Sequence, residues 1–223
     1  MADLTSKSLK VNYLEVDVSS KEQCVEAVKK VAEANSGQVH YLVNCAAYFG
    51  SKALTAEKQD WDKSLSVNVV GYSNMVQACH EHMSKMSGDK SIVNIASISG
   101  HRCQPNRWTY SATKGAILTM TKCMALDLSK DKIRVNSVSP AWVWTPEVAK
   151  AAGGDREKWE PIWGAFHMPR RFCETSEVAS VICFLLSDDA SYVTASDIPV
   201  EGGYLSMSPE GFGDKSSFAG SEY

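Results

Sequence analysis

Two side chains that could pass a proton to a bound molecule stand four residues apart in Tyr110-Ser111-Ala112-Thr113-Lys114. On a helix that spacing puts both on one face, a turn apart. A free phenol, with a pKa of about 10, is a poor acid–base group at neutral pH unless its anion is favoured, and a nearby cation favours it. Lys114 can supply that charge, so the pair suits proton exchange with a substrate oxygen. It suits equally an amphipathic tyrosine beside a solvated lysine, and only the surroundings separate the two readings.

Upstream, Ser97 closes the apolar run SIVNIA at 91–96, thirteen residues before Tyr110. Its hydroxyl would emerge where a strand ends. Asn68 sits further upstream in Ser66-Val67-Asn68-Val69-Val70-Gly71. Taken singly, Ser97 reads as a helix or turn cap and Asn68 as a buried amide bonding local backbone. In register with the Tyr-Lys pair, they form a set.

The elements that must position this set alternate along the chain. Strands are expected at 9–17, 39–44, 91–96, 133–137 and 197–200, mostly as short apolar runs without alternation, the pattern of parallel strands covered on both faces. Helices are expected between them. One is capped by Ser19 or Ser20, repeats Cys24, Ala27, Val28, Val31 and Ala32 at three-and-four spacing, and stops at Asn35-Ser36-Gly37. Others span about 57–86, 110–129 and 175–187. Such alternation predicts an α/β fold with a doubly wound parallel sheet, its site at the carboxyl ends of the strands. Residues 140–172 break the pattern with Pro, Gly and the large aromatics Trp142, Trp144, Trp159, Trp163, Phe166 and Phe172, as in a substrate loop or lid, and 205–223 read as a polar tail.

Composition narrows the function. The 223 residues are 44% hydrophobic and 22% charged, which suits one globular domain, 1–223. A net charge of −3 offers no basic footprint for nucleic acid. Apolar runs fall short of the roughly 18–20 residues that span a bilayer, and Met1-Ala2-Asp3-Leu4-Thr5 lacks the layout of a secretion signal, so neither membrane nor export is expected and the address read is cytoplasmic. Seven widely spaced cysteines read as reduced, mostly buried thiols. His80-Glu81-His82 has a spacing that turns its histidines apart on a helix, so no metal is assigned, and His167 reads as packing in an aromatic loop.

The order Asn68, Ser97, Tyr110, Lys114 resembles the catalytic tetrad of the short-chain dehydrogenase/reductase family. Over 9–205, Asp17-Val18, Asn44-Cys45-Ala46-Ala47, Trp61-Asp62, Arg134-Val135-Asn136 and Glu201-Gly202-Gly203 look like further motifs of that family. The resemblance implies a Rossmann-like fold, NAD or NADP as cofactor, and interconversion of a secondary alcohol and a ketone. Tyr110 would donate to the substrate oxygen, Ser97 would hold it beside the nicotinamide, and Asn68 would anchor a water leading to Lys114, which would also touch the ribose. Asp17, with Val18, would contact the adenine; Asn44 and Ala46 would line the cofactor path; Val143 and Thr145 would hold the carboxamide. By their residue types alone, Asp17 could cap the next helix, Asn44 end a strand and Thr145 begin one before Pro146. The resemblance also implies a homotetramer or dimer through the helices bearing Asn68 and Tyr110, with Met75, Val76, Met83, Met120 and Met124 in the contact or in the core.

The sequence departs from the family pattern in one large way. No Thr-Gly-x-x-x-Gly-x-Gly turn precedes residue 9, and the expectation is an N-terminally truncated chain with a weakened phosphate cradle and an open sheet edge, favoured over a shortened scaffold without chemistry or one completed by another subunit. The side chain that tells NAD from NADP would lie in the missing part. Ala141 after Pro140 and Cys45 also differ, and Ala141 adds a methyl near the nicotinamide position. The expected substrate is a small polyol, keto compound or ring ketone. A non-catalytic protein holding another small ligand in the vacated cleft is the alternative.

Overall fold

The computed structural model describes residues 11–208 and Gly211. Four strands, β1 (Tyr41–Asn44), β2 (Ser91–Ile95), β3 (Arg134–Pro140) and β4 (Asp197–Val200), pair in chain order and all in parallel. Seven α-helices among the described residues accompany them: α1 (Lys21–Ala34), α2 (Lys58–Leu65), α3 (Gly71–Ser84), α4 (Trp108–Leu128), α5 (Pro146–Ala151), α6 (Arg156–Trp163) and α7 (Thr175–Leu186).

Successive residues of β2 show why the runs lack alternation. Ile92 packs with Val28 and Ala32 of α1, Val76 and Met83 of α3 and Ala125 of α4, whereas Val93 faces the other way, onto Val178 and Leu185 of α7. Both faces of the sheet are therefore covered by helices, giving the Rossmann-like architecture, and each buried side chain of this size contributes about 2 kcal/mol. β3 is tied down by its own polar residues. Arg134 pairs with Asp89 at 2.8 Å and donates to the Leu185 carbonyl at 2.8 Å, and Asn136 donates to the Val193 carbonyl at 2.8 Å, so two residues of Arg134-Val135-Asn136 hold the framework.

Several expectations are corrected. The strand at 9–17 is not formed over its described part, 11–17; residues 9 and 10 lie outside the described residues. Among the described residues β1 is paired only with β2, so this segment has no ladder to join, and Tyr13 and Leu14 stay exposed. Of the two candidate caps, Ser20 holds the α1 N-terminus, its hydroxyl accepting from the Gln23 N–H at 3.3 Å, and Val31 falls outside the buried stripe. The 57–86 helix is broken by a π-helical turn at Ser66–Val70, around Asn68. Residues 140–172, expected as a substrate loop or lid, contain the helices α5 and α6. Of the seven free cysteines only Cys24 and Cys79 are buried, because Cys123 and Cys183 fall on the exposed sides of α4 and α7 and Cys45 and Cys103 in exposed loops. Val76 and Met83 belong to the core, with Met75 and Met124 packed against it. Among the described residues no helix is long and apolar enough to cross a membrane.

Candidate active site

The site begins where β2 runs out. Ser97, in extended backbone, caps a 3-10 turn at Ile98–Gly100, its oxygen accepting from the Ser99 N–H at 3.1 Å. That turn lies directly on α4. A Cβ at Gly100 would stand 2.9 Å from the Lys114 carbonyl, so only glycine lets the two backbones meet here. The close approach sets Ser97 and Tyr110 in the lining of one cleft, where the Ser97 hydroxyl acts to lower the pKa of the Tyr110 phenol. The cap reading of Ser97 therefore holds in the geometry, and the residue also lines the cleft described below.

Lys114 lies one helical turn beyond Tyr110 and is only 2% exposed. Its Nζ donates to the Ile95 carbonyl at 2.7 Å and lies 5.6 Å from the Tyr110 ring centre and 5.9 Å from that of Tyr72. The Tyr72 hydroxyl donates to the same carbonyl at 3.2 Å. Burial pushes the lysine down to about 8. Burial likewise pushes the Tyr110 phenol up to about 12, opposed by the Ser97 hydrogen bond and then by the charge of Arg107. The sequence reading gave the acidifying role to Lys114; in the chain alone that pull comes from Ser97 and Arg107, and desolvation outweighs it.

Asn68 is fully engaged. Its Oδ1 accepts from the Tyr48 N–H at 2.6 Å, and its Nδ2 donates to the Tyr48 carbonyl at 3.0 Å and to Thr113 Oγ1 at 3.1 Å. The side chain therefore clamps the loop after β1 against α4. One residue past the clamp, Phe49 stacks on Tyr110 with ring centres 5.6 Å apart.

A cleft of about 290 Å³ opens beside Tyr110. Ser97, Gln104, Arg107 and Tyr110 line it together with Trp142 and Thr145 from the stretch after β3. Thr145 does not begin a strand; it caps α5, accepting from the Val148 N–H at 3.3 Å before Pro146 in the first turn. The other sequence-predicted residues lie outside this cleft. Asn44 donates to Asn94 at 2.9 Å and ties β1 to β2. Val143 is buried in the core beside α7, and Ala46 is exposed in the loop after β1. Asp17 accepts from the Ser19 N–H and hydroxyl, which hold its carboxyl below its usual value, and the Val18 carbonyl accepts from Asn74 at 3.0 Å. His80 pairs with Asp131 at 2.8 Å and His82 with the Gly37 carbonyl at 3.2 Å, so the two diverge. His167 is buried in packing, its Nε2 accepting from the Trp142 N–H at 3.4 Å.

Gln104, Arg107 and Phe49 were not legible as site residues. The one signal for Arg107 was its place three residues before Tyr110, at the mouth of the helix. The residues present fit the nicotinamide–ribose half of a dinucleotide. An ammonium has three N–H bonds, and Lys114 has one protein oxygen as acceptor, a surplus that suits ribose hydroxyls beside a phenol and a serine.

A family profile described as enoyl-(acyl carrier protein) reductase matches residues 2–205. The chain belongs to the short-chain dehydrogenase/reductase family. It is 36% identical over 198 residues to a 3-oxoacyl-(acyl-carrier-protein) reductase of Thermotoga maritima, covering 88% of this chain and 78% of that protein. Its structure is similar to that of a ligand-free aldohexose dehydrogenase of Thermoplasma acidophilum, with a TM-score of 0.84 and 31% identity over 90% of this chain and 81% of the other. It is also similar to a gluconate 5-dehydrogenase of Burkholderia cenocepacia in complex with NADP and tartrate, with a TM-score of 0.83 and 27% identity over 93% and 80% of the two chains. Members of this family are oxidoreductases that use NAD or NADP.

Proposed function

We propose that this short-chain dehydrogenase/reductase interconverts a secondary alcohol and a ketone, with Ser97, Tyr110 and Lys114 carrying the proton chemistry. The observation that supports it most is that Ser97 and Tyr110 line the same cleft, with the buried Lys114 ammonium 5.6 Å from the Tyr110 ring centre. A bound nicotinamide cofactor supplies the hydride. Tyr110 and Lys114 hold its ribose, and Asp17, Val18, Asn44, Ala46, Val143 and Thr145 are the family positions assigned to the rest of it.

In the reducing direction Tyr110 gives its proton to the carbonyl oxygen while Ser97 orients that oxygen. A phenol at about 12 is a competent donor but a reluctant anion, so the phenolate left behind needs a nearby cation, and Lys114 and Arg107 flank it. Asn68 keeps Phe49 packed on the Tyr110 ring and so holds the proton donor in place. Residues 140–172 act as the lid of this single domain. We assign the enzyme to the cytoplasm, whose reducing conditions suit seven free thiols, and to a homodimer or homotetramer, for which exposed Leu65, Val70 and Leu126 supply apolar surface.

The test is turnover of a panel of ketones by the purified chain with NADH or NADPH, read at the nicotinamide absorbance. Tyr110→Phe is expected to lower kcat by about 1,000-fold while retaining the fold. Equal rates in the two proteins would overturn the assignment.

A further inference from the structure

Six arginines lie among the described residues, and five of them are hydrogen-bonded. Arg134, Arg156 and Arg171 hold carboxylates, and Arg102 and Arg170 donate to backbone carbonyls. The Arg107 guanidinium makes no hydrogen bond or ion pair with any described residue. It instead lies 5.8 Å from the ring centre of Tyr110 and 5.9 Å from that of Trp142, half-buried in the wall of the cleft. Two aromatic rings thus flank a cation whose five donors are left over.

A second donor lies in the same wall. The Gln104 carbonyl oxygen accepts from the Ser99 hydroxyl at 2.5 Å, which commits the oxygen end of the amide and leaves its NH2 group without a partner among the described residues. The lining includes one carboxylate, Glu147, which is exposed and forms no ion pair with Arg107. An unneutralised guanidinium flanked by two rings, with a free amide NH2 in the same lining, is a donor set for a planar, two-oxygen anion.

We infer that Arg107, assisted by Gln104, selects substrates carrying a carboxylate in the same small molecule as the reacting carbon, so that the enzyme acts on a hydroxy acid and its keto acid. This inference rests on the alcohol–ketone reading of the site and gives it a substrate class. The cleft volume of about 290 Å³ is at the small end for ligand sites, which suits a compact acid with its carboxylate a few bonds from the carbonyl. Arg107 also touches the proton donor, so its loss slows neutral substrates too; the discriminating quantity is the ratio of acid to neutral analogue within one protein.

The experiment uses a series of short keto acids, each paired with its uncharged amide, for example 3-oxobutanoate with 3-oxobutanamide. For each pair kcat/KM is measured with the wild type, Arg107→Met and Arg107→Lys, and binding of the same pairs is measured by calorimetry. The acid is expected to exceed its amide at least about tenfold in kcat/KM and in affinity for the wild type. In Arg107→Met the ratio falls to near one, chiefly through KM, and Arg107→Lys retains part of it. A wild type that treats acid and amide alike, or a ratio unchanged in Arg107→Met, overturns the assignment of Arg107. Discrimination in calorimetry with no turnover of any ketone would instead reject the alcohol–ketone reading and leave Arg107 as the carboxylate reader. A melting curve on each variant separates misfolding from loss of recognition.

Discussion

The two walls of the cleft are built on opposite principles. The inner wall, from Ile95 to Lys114, hangs on a strand end, one 3-10 turn and a long helix, and it buries groups that water would solvate better: an ammonium held down to about 8 and a phenol pushed up to about 12. The lid does the reverse. Trp163 stacks between Trp142 and Trp159 at 4.9 and 4.4 Å, Trp144 lies 5.2 Å from Phe172, and Arg156 is satisfied by Glu160 and Glu174. The contrast teaches that the aromatic richness of 140–172 is mostly the lid's own core, with Trp142 as its stack's contribution to the cleft. The destabilised, reactive groups are confined to the rigid wall, where the backbone holds them in place.

Removing the charge from the inner wall has the largest expected effect. Lys114→Met is expected to lower kcat by about 100-fold or more, measured by initial rates, because the phenolate loses its cation. It should also stabilise the protein. The buried amine titrates near 8 and the unfolded one near its usual 10.5, so the unfolded chain holds the extra proton between those pH values. Stability of the wild type therefore rises with pH across that window, and below it the buried charge costs about 3 kcal/mol. Denaturant melts of both proteins at pH 7 and pH 10 should show the variant more stable at the lower pH and the gap closing at the higher. A Lys114→Met protein that is less stable at pH 7 would mean that the inner wall is held together by its charge, and the contrast with the lid would fail.

Next in size is Gly100→Ala. The added methyl would meet the Lys114 backbone at 2.9 Å and must move the 3-10 turn that carries Ser97. We expect about 1–3 kcal/mol of destabilisation, read in a denaturant melt, and about a 100-fold loss of kcat/KM, since a displacement of this order separates Ser97 from Tyr110. The smallest effect belongs to the lid. Trp163→Ala removes two stacked contacts, each of about 1 kcal/mol, and should raise KM about 5-fold with a lesser change in kcat. A fall in kcat as large as that from Gly100→Ala would show that the lid shares the rigid wall's role.

The spacing of Tyr110 and Lys114, the strand-end position of Ser97 and the short apolar runs were enough for the fold class and for the proximity of these three residues, because helical and strand periodicities are local and map spacing directly onto faces. The 9–17 run illustrates the limit: strand-like composition cannot supply a ladder partner. Asn68 illustrates another, for its amide reaches Tyr48, twenty residues away, and no local rule names that backbone.

What the sequence by itself determined was therefore which side chains recur on which face, and with it the Tyr-Lys pair and its parallel sheet. Only the tertiary structure decided which charges are neutralised. Three arginines found carboxylates, two found backbone carbonyls and the Arg107 guanidinium found neither, and burial rather than Lys114 dominates the acidity of Tyr110. Desolvation and ion pairing depend on three-dimensional neighbours drawn from distant parts of the chain, and a linear pattern carries no record of them.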